Sequence, residues 1–205
     1  MTAESTDAVC EGWDGSECEG TVHCPPRCPR FVDKQGARWT IRPAVSGDLA
    51  PLAEMYEGFG REDRAQGLPP VVRRRRAEWI ESMLAEGTNV VAERRGEVLG
   101  HAMYTPSDAT MPELAVFVHP TAQDRGIGTE LCRHVIANAA SADREALELH
   151  VETGNRIARN VYRSVGFQIS ERRGDLRMEL SLDDPVATAV RLPPLAREGP
   201  VEPSR

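Results

Sequence analysis

The sequence predicts a mixed α/β (α+β) domain in which about seven strands form one sheet with helices packed against it. Two observations predict this fold class. Segments typical of strands and segments with the apolar spacing of helices follow one another between residues 38 and 182. The chain has 205 residues, 40% of them hydrophobic, which suits one domain with flanking segments.

The first half of this domain is predicted to hold a strand, two helices and a hairpin. The two helices are separated by a glycine- and proline-containing loop, and a glycine stands at the hairpin turn. In chain order the elements are a strand at residues 39–44, helices at 46–59 and 71–87, and strands at 88–95 and 97–105.

The second half alternates strands with helices before it closes with another hairpin. Its first helix carries apolar residues at Leu131, Val135 and Ile136, on one helical face. In chain order the elements are a strand at residues 111–119, a helix at 126–140, a strand at 145–152, a helix at 155–165, and strands at 166–173 and 175–182.

The flanking segments have a different composition, and they set the predicted domain boundaries. Residues 1–37 are poor in aliphatic side chains and hold four of the five cysteines. Residues 183–205 are rich in proline and show no apolar period, so we expect a disordered tail. The predicted organisation is a cysteine-rich extension at 1–37, the folded domain at 38–182 and the tail at 183–205.

The overall charge and the distribution of apolar residues exclude several classes of partner. The formal net charge is -7, which argues against a nucleic-acid or anionic-membrane binder. No apolar run reaches the roughly 20 residues of a membrane span, and the N-terminus lacks the pattern of a signal peptide. We therefore expect a cytoplasmic protein with reduced thiols.

The junction between the strand at 111–119 and the following helix is the most informative segment. The first amides of a helix have no internal partner and carry partial positive charge, and Gly126 and Gly128 would let a phosphate approach them closely. A dinucleotide motif would have a third glycine where Leu131 stands, and a P-loop would have a lysine before Thr129. The alternative is a tight turn without a ligand.

Two motifs make the sequence resemble the GNAT superfamily of acyl-CoA-dependent N-acyltransferases. The family's pyrophosphate loop, Q/R-x-x-G-x-G/A, is matched by Gln123, Gly126 and Gly128. A second family motif, N-x-x-A-x-x-x-Y-x-x-x-G-F, is matched at every fixed position by Asn155, Ala158, Tyr162, Gly166 and Phe167. The resemblance implies a three-layer GNAT fold, with helices on both faces of a twisted mixed sheet whose fourth and fifth strands are parallel and splay apart.

The resemblance also implies an acetyl-CoA site where those two strands separate. Backbone groups of the fourth strand would pair with the pantetheine arm like an added strand, and an amide near Val118 would polarise the thioester carbonyl. The loop would wrap the diphosphate, with Gln123 and Arg125 adding side-chain donors. The implied cofactor-binding residues are Val116, Phe117, Val118, Gln123, Asp124, Arg125, Gly126, Ile127, Gly128, Thr129 and Asn155.

Amide formation by direct attack needs a neutral amine, a stabilised oxyanion and a protonated thiolate leaving group. The resemblance implies Tyr162 as the acid that protonates the sulfur; the alternative is an ordinary half-buried tyrosine. Two residues are candidates for the base, Glu113 on the fourth strand and His150 on the fifth, and each could instead be structural. Cys132 stands at a packing position of its helix, so we do not expect it to be a nucleophile.

The predicted function is therefore an N-acetyltransferase that moves an acetyl group from acetyl-CoA to a primary amine. The acceptor is a small molecule or a protein lysine or N-terminus, and the enzyme is a monomer or a homodimer. The alternative is a non-catalytic module that senses acyl-CoA and recruits a partner through the front segment. The arginines at 73–76 are predicted to be a solvated helix face, or else to attract an acidic substrate or the cofactor's 3′-phosphate.

The cysteines of the front segment are candidate metal ligands. Four thiols, at Cys10, Cys18, Cys24 and Cys28, could close a tetrahedral zinc site. Their spacing lacks the C-x2-C knuckles of zinc ribbons, and an iron–sulfur cluster or unligated thiols are the alternatives. A segment so short and so poor in apolar residues would need a metal to fold by itself.

Overall fold

A computed structural model of the chain describes residues 17–22, 24–60 and 68–197. Within these residues a single sheet of eight strands is flanked by five α-helices. The strands are β1 (Arg30–Val32), β2 (Arg38–Pro43), β3 (Thr88–Arg94), β4 (Glu97–Thr105), β5 (Glu113–Val118), β6 (Ala146–Val151), β7 (Gln168–Arg173) and β8 (Asp175–Ser181). The helices are α1 (Leu49–Glu57), α2 (Arg73–Glu86), α3 (Ile127–Ser141), α4 (Arg156–Ser164) and α5 (Pro185–Ala189).

The sheet is mixed, with the strand order β1-β2-β3-β4-β5-β6-β8-β7. All neighbours are antiparallel except β5 and β6, which are parallel and pair at one position, Glu113 opposite Glu148. Past that position the two strands separate. The predicted mixed α/β fold is thus confirmed, with eight strands instead of about seven because residues of the front segment add β1 at one edge.

Helices cover both faces of the sheet and bury two groups of apolar side chains. On one face α3 buries Leu131 and Ile136 completely. The helix packs close to Gly100 of β4, because a Cβ on Gly100 would lie only 2.9 Å from Leu131 Cδ1. On the other face α1 and α2 bury Leu52 and Ile80 completely. Each fully buried leucine or isoleucine contributes roughly 1.5–3 kcal/mol, so these two layers fix the helices against the sheet.

The end of the front segment packs against the domain by polar contacts. Arg27 is 5% exposed, and its guanidinium donates two hydrogen bonds to Glu130 of α3, at 2.6 and 3.0 Å. A third bond, of 2.7 Å, reaches the carbonyl oxygen of Val190 after α5. The sequence separates this segment from the domain at residue 38, but in the structure it is joined to both α3 and the C-terminal segment.

The C-terminal segment contains a helix, α5, in the region from residue 183 where the sequence predicts disorder. Asp184 accepts a hydrogen bond of 2.9 Å from the amide of Val186 and so begins α5. Val186, Ala187 and Val190 are buried in the same core group as α3. Three apolar residues are too few to give a visible period, which is why the sequence pattern misses this helix. Residues 198–205 of the predicted tail lie outside the described part.

In the ranges described here, no α-helix is both long and apolar enough to cross a membrane.

Candidate functional site

The loop that leads from β5 into α3 presents free backbone amides. Gly126 caps α3 with φ at +88°, and the amide of Glu130 is the first to bond back, to the carbonyl of Gly126 at 3.1 Å. Asp124 also has a positive φ, +58°, so the backbone curls around the helix end. The helix geometry leaves three amides without an intrahelical partner, those of Ile127, Gly128 and Thr129.

The two glycines of the motif differ in what their positions require. Gly126 adopts a left-handed conformation that side chains with a Cβ rarely take. A Cβ at Gly128 would meet only Val118 Cγ2, at 3.5 Å, which is ordinary contact. Packing therefore does not require glycine at position 128, but the absence of a large side chain there leaves the helix end open to an anion. The loop thus has the features of an anion site at a helix N-terminus.

The peptide groups of β5 divide between its two neighbours. The amide of His119 bonds to the carbonyl of Leu99 on the β4 side, and Phe117 pairs with His101 in register. Since alternate residues of a strand point their peptide groups to opposite sides, those of Val116 and Val118 face the gap towards β6. The peptide groups of Phe117 lie on the β4 side, so the strand-like pairing predicted for the pantetheine arm is left to Val116 and Val118.

Two side chains predicted to contact the cofactor are committed elsewhere. Gln123 Nε2 donates to the carbonyl of Val118 at 3.2 Å and ties the loop to the end of β5. Arg125 Nε donates to Asp33 Oδ2 at 2.6 Å, and its guanidinium lies 5.6 Å from the centroid of the Trp39 ring. The charge of Arg125 is therefore paired with Asp33 inside the protein, and these contacts lend no support to its predicted role as a donor to the cofactor.

Tyr162 lies on α4 with 7% of its surface exposed, and its ring packs edge-on against Phe167 at 6.1 Å between centroids. Burial first, then the neighbouring Cys132 and Glu113, raise the pKa of Tyr162 well above its usual value. The phenol is therefore protonated at neutral pH. Burial likewise raises the pKa of the Cys132 thiol, to about 12, which leaves it an inert packing residue.

Asn155 begins α4 and uses its side-chain oxygen as the helix cap. Oδ1 accepts a hydrogen bond of 3.0 Å from the amide of Ala158. The second motif thus has a structural part, because the asparagine fixes the start of the helix that carries Tyr162. The side-chain NH2 of Asn155 points to no hydrogen-bond partner among the described residues.

The two candidate bases, alternatives in the sequence, are brought together by the structure. His150 Nδ1 lies 3.2 Å from Glu113 Oε1, and the two side chains are 40% and 48% exposed. The single bridge between β5 and β6 places them on neighbouring strands at the point where the strands part. Arg177 on β8, opposite His150 in register, is paired with Glu148 and Glu179. An exposed carboxylate and an imidazole in contact can together accept a proton.

An aromatic cluster lies beside β5 on the face that carries α1 and α2. Its members are Tyr56, Phe59, Trp79 and Phe117. The Trp79 and Phe117 rings meet edge to face at 5.6 Å between centroids, and both are partly exposed. Sequence reasoning misses this cluster, because its members come from α1, α2 and β5 and only their helical positions are visible in the sequence.

A buried chain of hydrogen bonds supports that cluster from behind. Tyr56 Oη lies 2.6 Å from His101 Nδ1, and His101 Nε2 lies 3.0 Å from Asn89 Oδ1. The Asn89 amide donates to the carbonyls of Met83 and Gly87, so its oxygen accepts from His101 and the tyrosine hydroxyl donates to Nδ1. Burial lowers the pKa of His101 to about 4, despite the opposing effect of Asp48. The histidine is neutral.

The remaining predicted site residues gain no support. Cys18, Cys24 and Cys28 are free thiols, while Cys10 lies outside the described residues. The described ranges contain no group of three or more His, Cys, Asp or Glu side chains that could hold a metal. The arginine run is not simply a solvated face either. Arg76 is 6% exposed and donates to the carbonyl of Val71 and to Glu57.

Parallel strands that part beside a glycine loop and a helix end, with helices on both faces, are the arrangement that the resemblance to N-acyltransferases implies. The chain belongs to the acetyltransferase (GNAT) family, whose model matches residues 52–167.

Similar proteins support this assignment in sequence and in structure. An L-methionine sulfoximine/L-methionine sulfone acetyltransferase of Pseudomonas aeruginosa is 26% identical over 139 residues, which are 64% of this chain and 81% of that protein. The GNAT domain of PAT from S. lividans has a TM-score of 0.67 at 21% identity, over 75% of this chain and 96% of that one. The structure of yncA from Salmonella typhimurium with its cofactor acetyl-CoA has a TM-score of 0.59 at 25% identity, over 71% and 94%.

Proposed function

We propose that this acetyltransferase moves the acetyl group of acetyl-CoA onto the primary amine of an amino-acid derivative. The observation that carries the proposal is the gap between β5 and β6, which is faced by peptide groups of β5 along one side and has the first amides of α3 at its end. The acetyl-CoA complex of yncA and the named substrates of the Pseudomonas aeruginosa relative support the choice of donor and acceptor.

The chain's backbone holds the donor in this proposal. Val116 and Val118 of β5 direct their peptide groups into the gap, where an extended pantetheine arm adds like a strand. The amides of Gly128 and Thr129, with the helix dipole behind them, bind the diphosphate. Asp124, Gly126 and Ile127 shape the loop and contact the cofactor through backbone groups. In this proposal the side-chain NH2 of Asn155, at the start of α4, donates to the same molecule.

Acetyl-CoA supplies an activated acyl group as a thioester. The pair formed by Glu113 and His150 removes the proton that the amine loses, because an exposed imidazole in contact with a carboxylate is a suitable proton acceptor for an amine held beside it. The amide of Val118 donates to the carbonyl oxygen as negative charge develops there. Tyr162, which is protonated, gives its proton to the departing sulfur. The amine replaces the thiol and no covalent enzyme intermediate is formed.

The aromatic cluster fits the acceptor side of this reaction. Trp79 and Phe117 expose parts of their rings beside the same stretch of β5 that faces the donor, on the face of the sheet that also carries Glu113 and His150. Rings of this kind form an apolar wall for a side chain a few carbons long. A small acceptor fits this wall better than a flat protein surface does, and an amino-acid derivative offers the amine next to such a side chain.

The proposal is tested by measuring the thiol released from acetyl-CoA in the presence of amino-acid derivatives, polyamines and lysine peptides. We expect turnover with the amino-acid derivatives. Tyr162→Phe should lower kcat about 10²- to 10⁴-fold, the range for loss of a general acid, and leave the Kd for CoA unchanged. Equal turnover by wild type and Tyr162→Phe would contradict the acid role. Binding of CoA with no turnover on any amine would contradict the enzymatic proposal.

A further inference from the structure

The turn between β1 and β2 lies on the glycine loop of the cofactor site. The amide of Lys34 donates to the carbonyl of Arg125 at 3.1 Å. A Cβ built on Gly126 would lie 3.6 Å from Phe31 Cζ and 3.7 Å from Lys34 Cε. Backbone and side chain of the front segment thus cover one side of the loop that the family motif provides, and the aliphatic stem of Lys34 runs along Gly126.

This contact changes the charge that the loop can offer to a ligand. Asp33 accepts hydrogen bonds from Trp39, Arg125 and the amides of Gln35 and Ala37. Burial acts to raise the pKa of Asp33, but these bonds outweigh it and lower the pKa to about 2. The carboxylate is therefore ionised and neutralises Arg125, whose side chain is 14% exposed. Arg125 therefore brings no net charge to the outside of the loop.

Lys34 supplies a positive charge at the same place. It is the only lysine in the chain, and its side chain is exposed while the neighbouring Asp33 is buried. Its Cε already lies beside Gly126, so the ammonium, one bond further, is within reach of a group bound at the amides of α3. An ammonium is a compact point charge on a flexible stem, which suits a phosphate that arrives from solvent.

We propose that Lys34 of the front segment is a cofactor-binding residue, whose ammonium pairs with the diphosphate of coenzyme A in place of Arg125. The inference rests on the proposed function, since it takes the glycine loop to be the diphosphate site. It gives the front segment a role in the reaction that the family motif does not contain: the segment holds the loop through Asp33 and supplies its charge through Lys34.

The test measures the Kd for CoA and for dephospho-CoA by calorimetry at low and high salt. Lys34→Met removes the charge and keeps an aliphatic stem, and Lys34→Arg keeps the charge. Arg172→Met is the matched control, because Arg172 is exposed on β7, at the edge of the sheet opposite β1. We expect Lys34→Met to raise the Kd for both ligands about two- to fivefold at low salt, the range of one partly exposed ion pair, and less at high salt.

The other variants should bind like wild type, so that a loss in Lys34→Met reports the position of the charge. Unchanged affinity in Lys34→Met would overturn the inference while wild type still binds and turns over acetyl-CoA. A loss seen with CoA but absent with dephospho-CoA would move the contact to the ribose phosphate and overturn the assignment to the diphosphate. An equal loss of affinity in Arg172→Met would show that the loss in Lys34→Met reflects the protein's net charge, and it would overturn the inference. If wild type binds no CoA, the proposed function fails as well.

Discussion

The buried pair of Arg27 and Glu130 provides a demanding test of how the front segment is held. The pair is bidentate, and its side chains are 5% and 6% exposed. Replacing Arg27 by Met leaves a buried carboxylate whose remaining cationic contact is Arg133 Nη1 at 3.3 Å. Breaking one partner of such a pair costs about 3–5 kcal/mol, a large share of the about 5–15 kcal/mol by which a domain is stable.

Urea unfolding, followed by tryptophan fluorescence at several pH values, measures this effect. Burial acts to raise the pKa of Glu130, but Arg27 with its charge and hydrogen bonds lowers it overall. The wild-type contribution is therefore present above the unfolded-state pKa of a glutamate and is lost as the pH falls through the lower folded-state pKa. Without Arg27 the buried carboxyl protonates more readily, so the difference between wild type and Arg27→Met should be greatest at neutral pH and shrink on acidification.

The control for this prediction is an exposed ion pair, Arg74 with Glu78, whose side chains are 88% and 57% exposed. Arg74→Met should change the free energy of unfolding by less than about 1 kcal/mol. In the double variant Arg27→Met/Glu130→Gln the loss should be smaller than the sum of the two single losses. A loss below about 1 kcal/mol in Arg27→Met, or one that does not depend on pH, would refute the view that this salt bridge fastens the segment to α3.

Two further predictions concern the chemistry. Glu113→Gln and His150→Gln should each lower kcat/KM about 10- to 100-fold. The double variant should lose no more activity than the less active of the two single variants, because the two side chains act as a unit. Losses that multiply in a steady-state assay would show that the two side chains act separately. Cys132→Ala should keep kcat within about twofold and lose about 1 kcal/mol of stability, since the thiol is buried and its pKa is raised to about 12; abolished turnover in that variant would contradict direct attack.

The fold of residues 38–182 could be predicted from sequence because its elements are held by repeating apolar contacts. Val135 and Ile136 of α3 are buried as their helical spacing predicts. The resemblance implied a mixed sheet whose two parallel strands part, and the structure has this sheet.

The parts that sequence reasoning missed depend on single polar contacts between distant residues. Arg27 and Glu130 are 103 positions apart, and Arg125 and Asp33 are 92 apart. Such pairs have no period, so neither the attachment of the front segment nor the inward direction of Arg125 could be read from the pattern. The direction of the Phe117 peptide groups could not be predicted from the sequence for a different reason. Its neighbours Val116 and Val118 face the gap, and the register that decides which residues do so is set by pairing with β4.

Calorimetry with CoA on wild type and Gly128→Glu tests most directly the claim that the amides at the start of α3 bind the cofactor's diphosphate. A glutamate in the first turn suits the helix dipole, and a Cβ at position 128 meets only Val118, at 3.5 Å, so the variant should fold with an unchanged Tm. The account predicts clear binding by wild type, retained binding by Gly128→Ala, and a loss of at least about 100-fold in Gly128→Glu, where a carboxylate occupies the place of the phosphate. No heat with wild type, or equal binding by a folded Gly128→Glu, would contradict it.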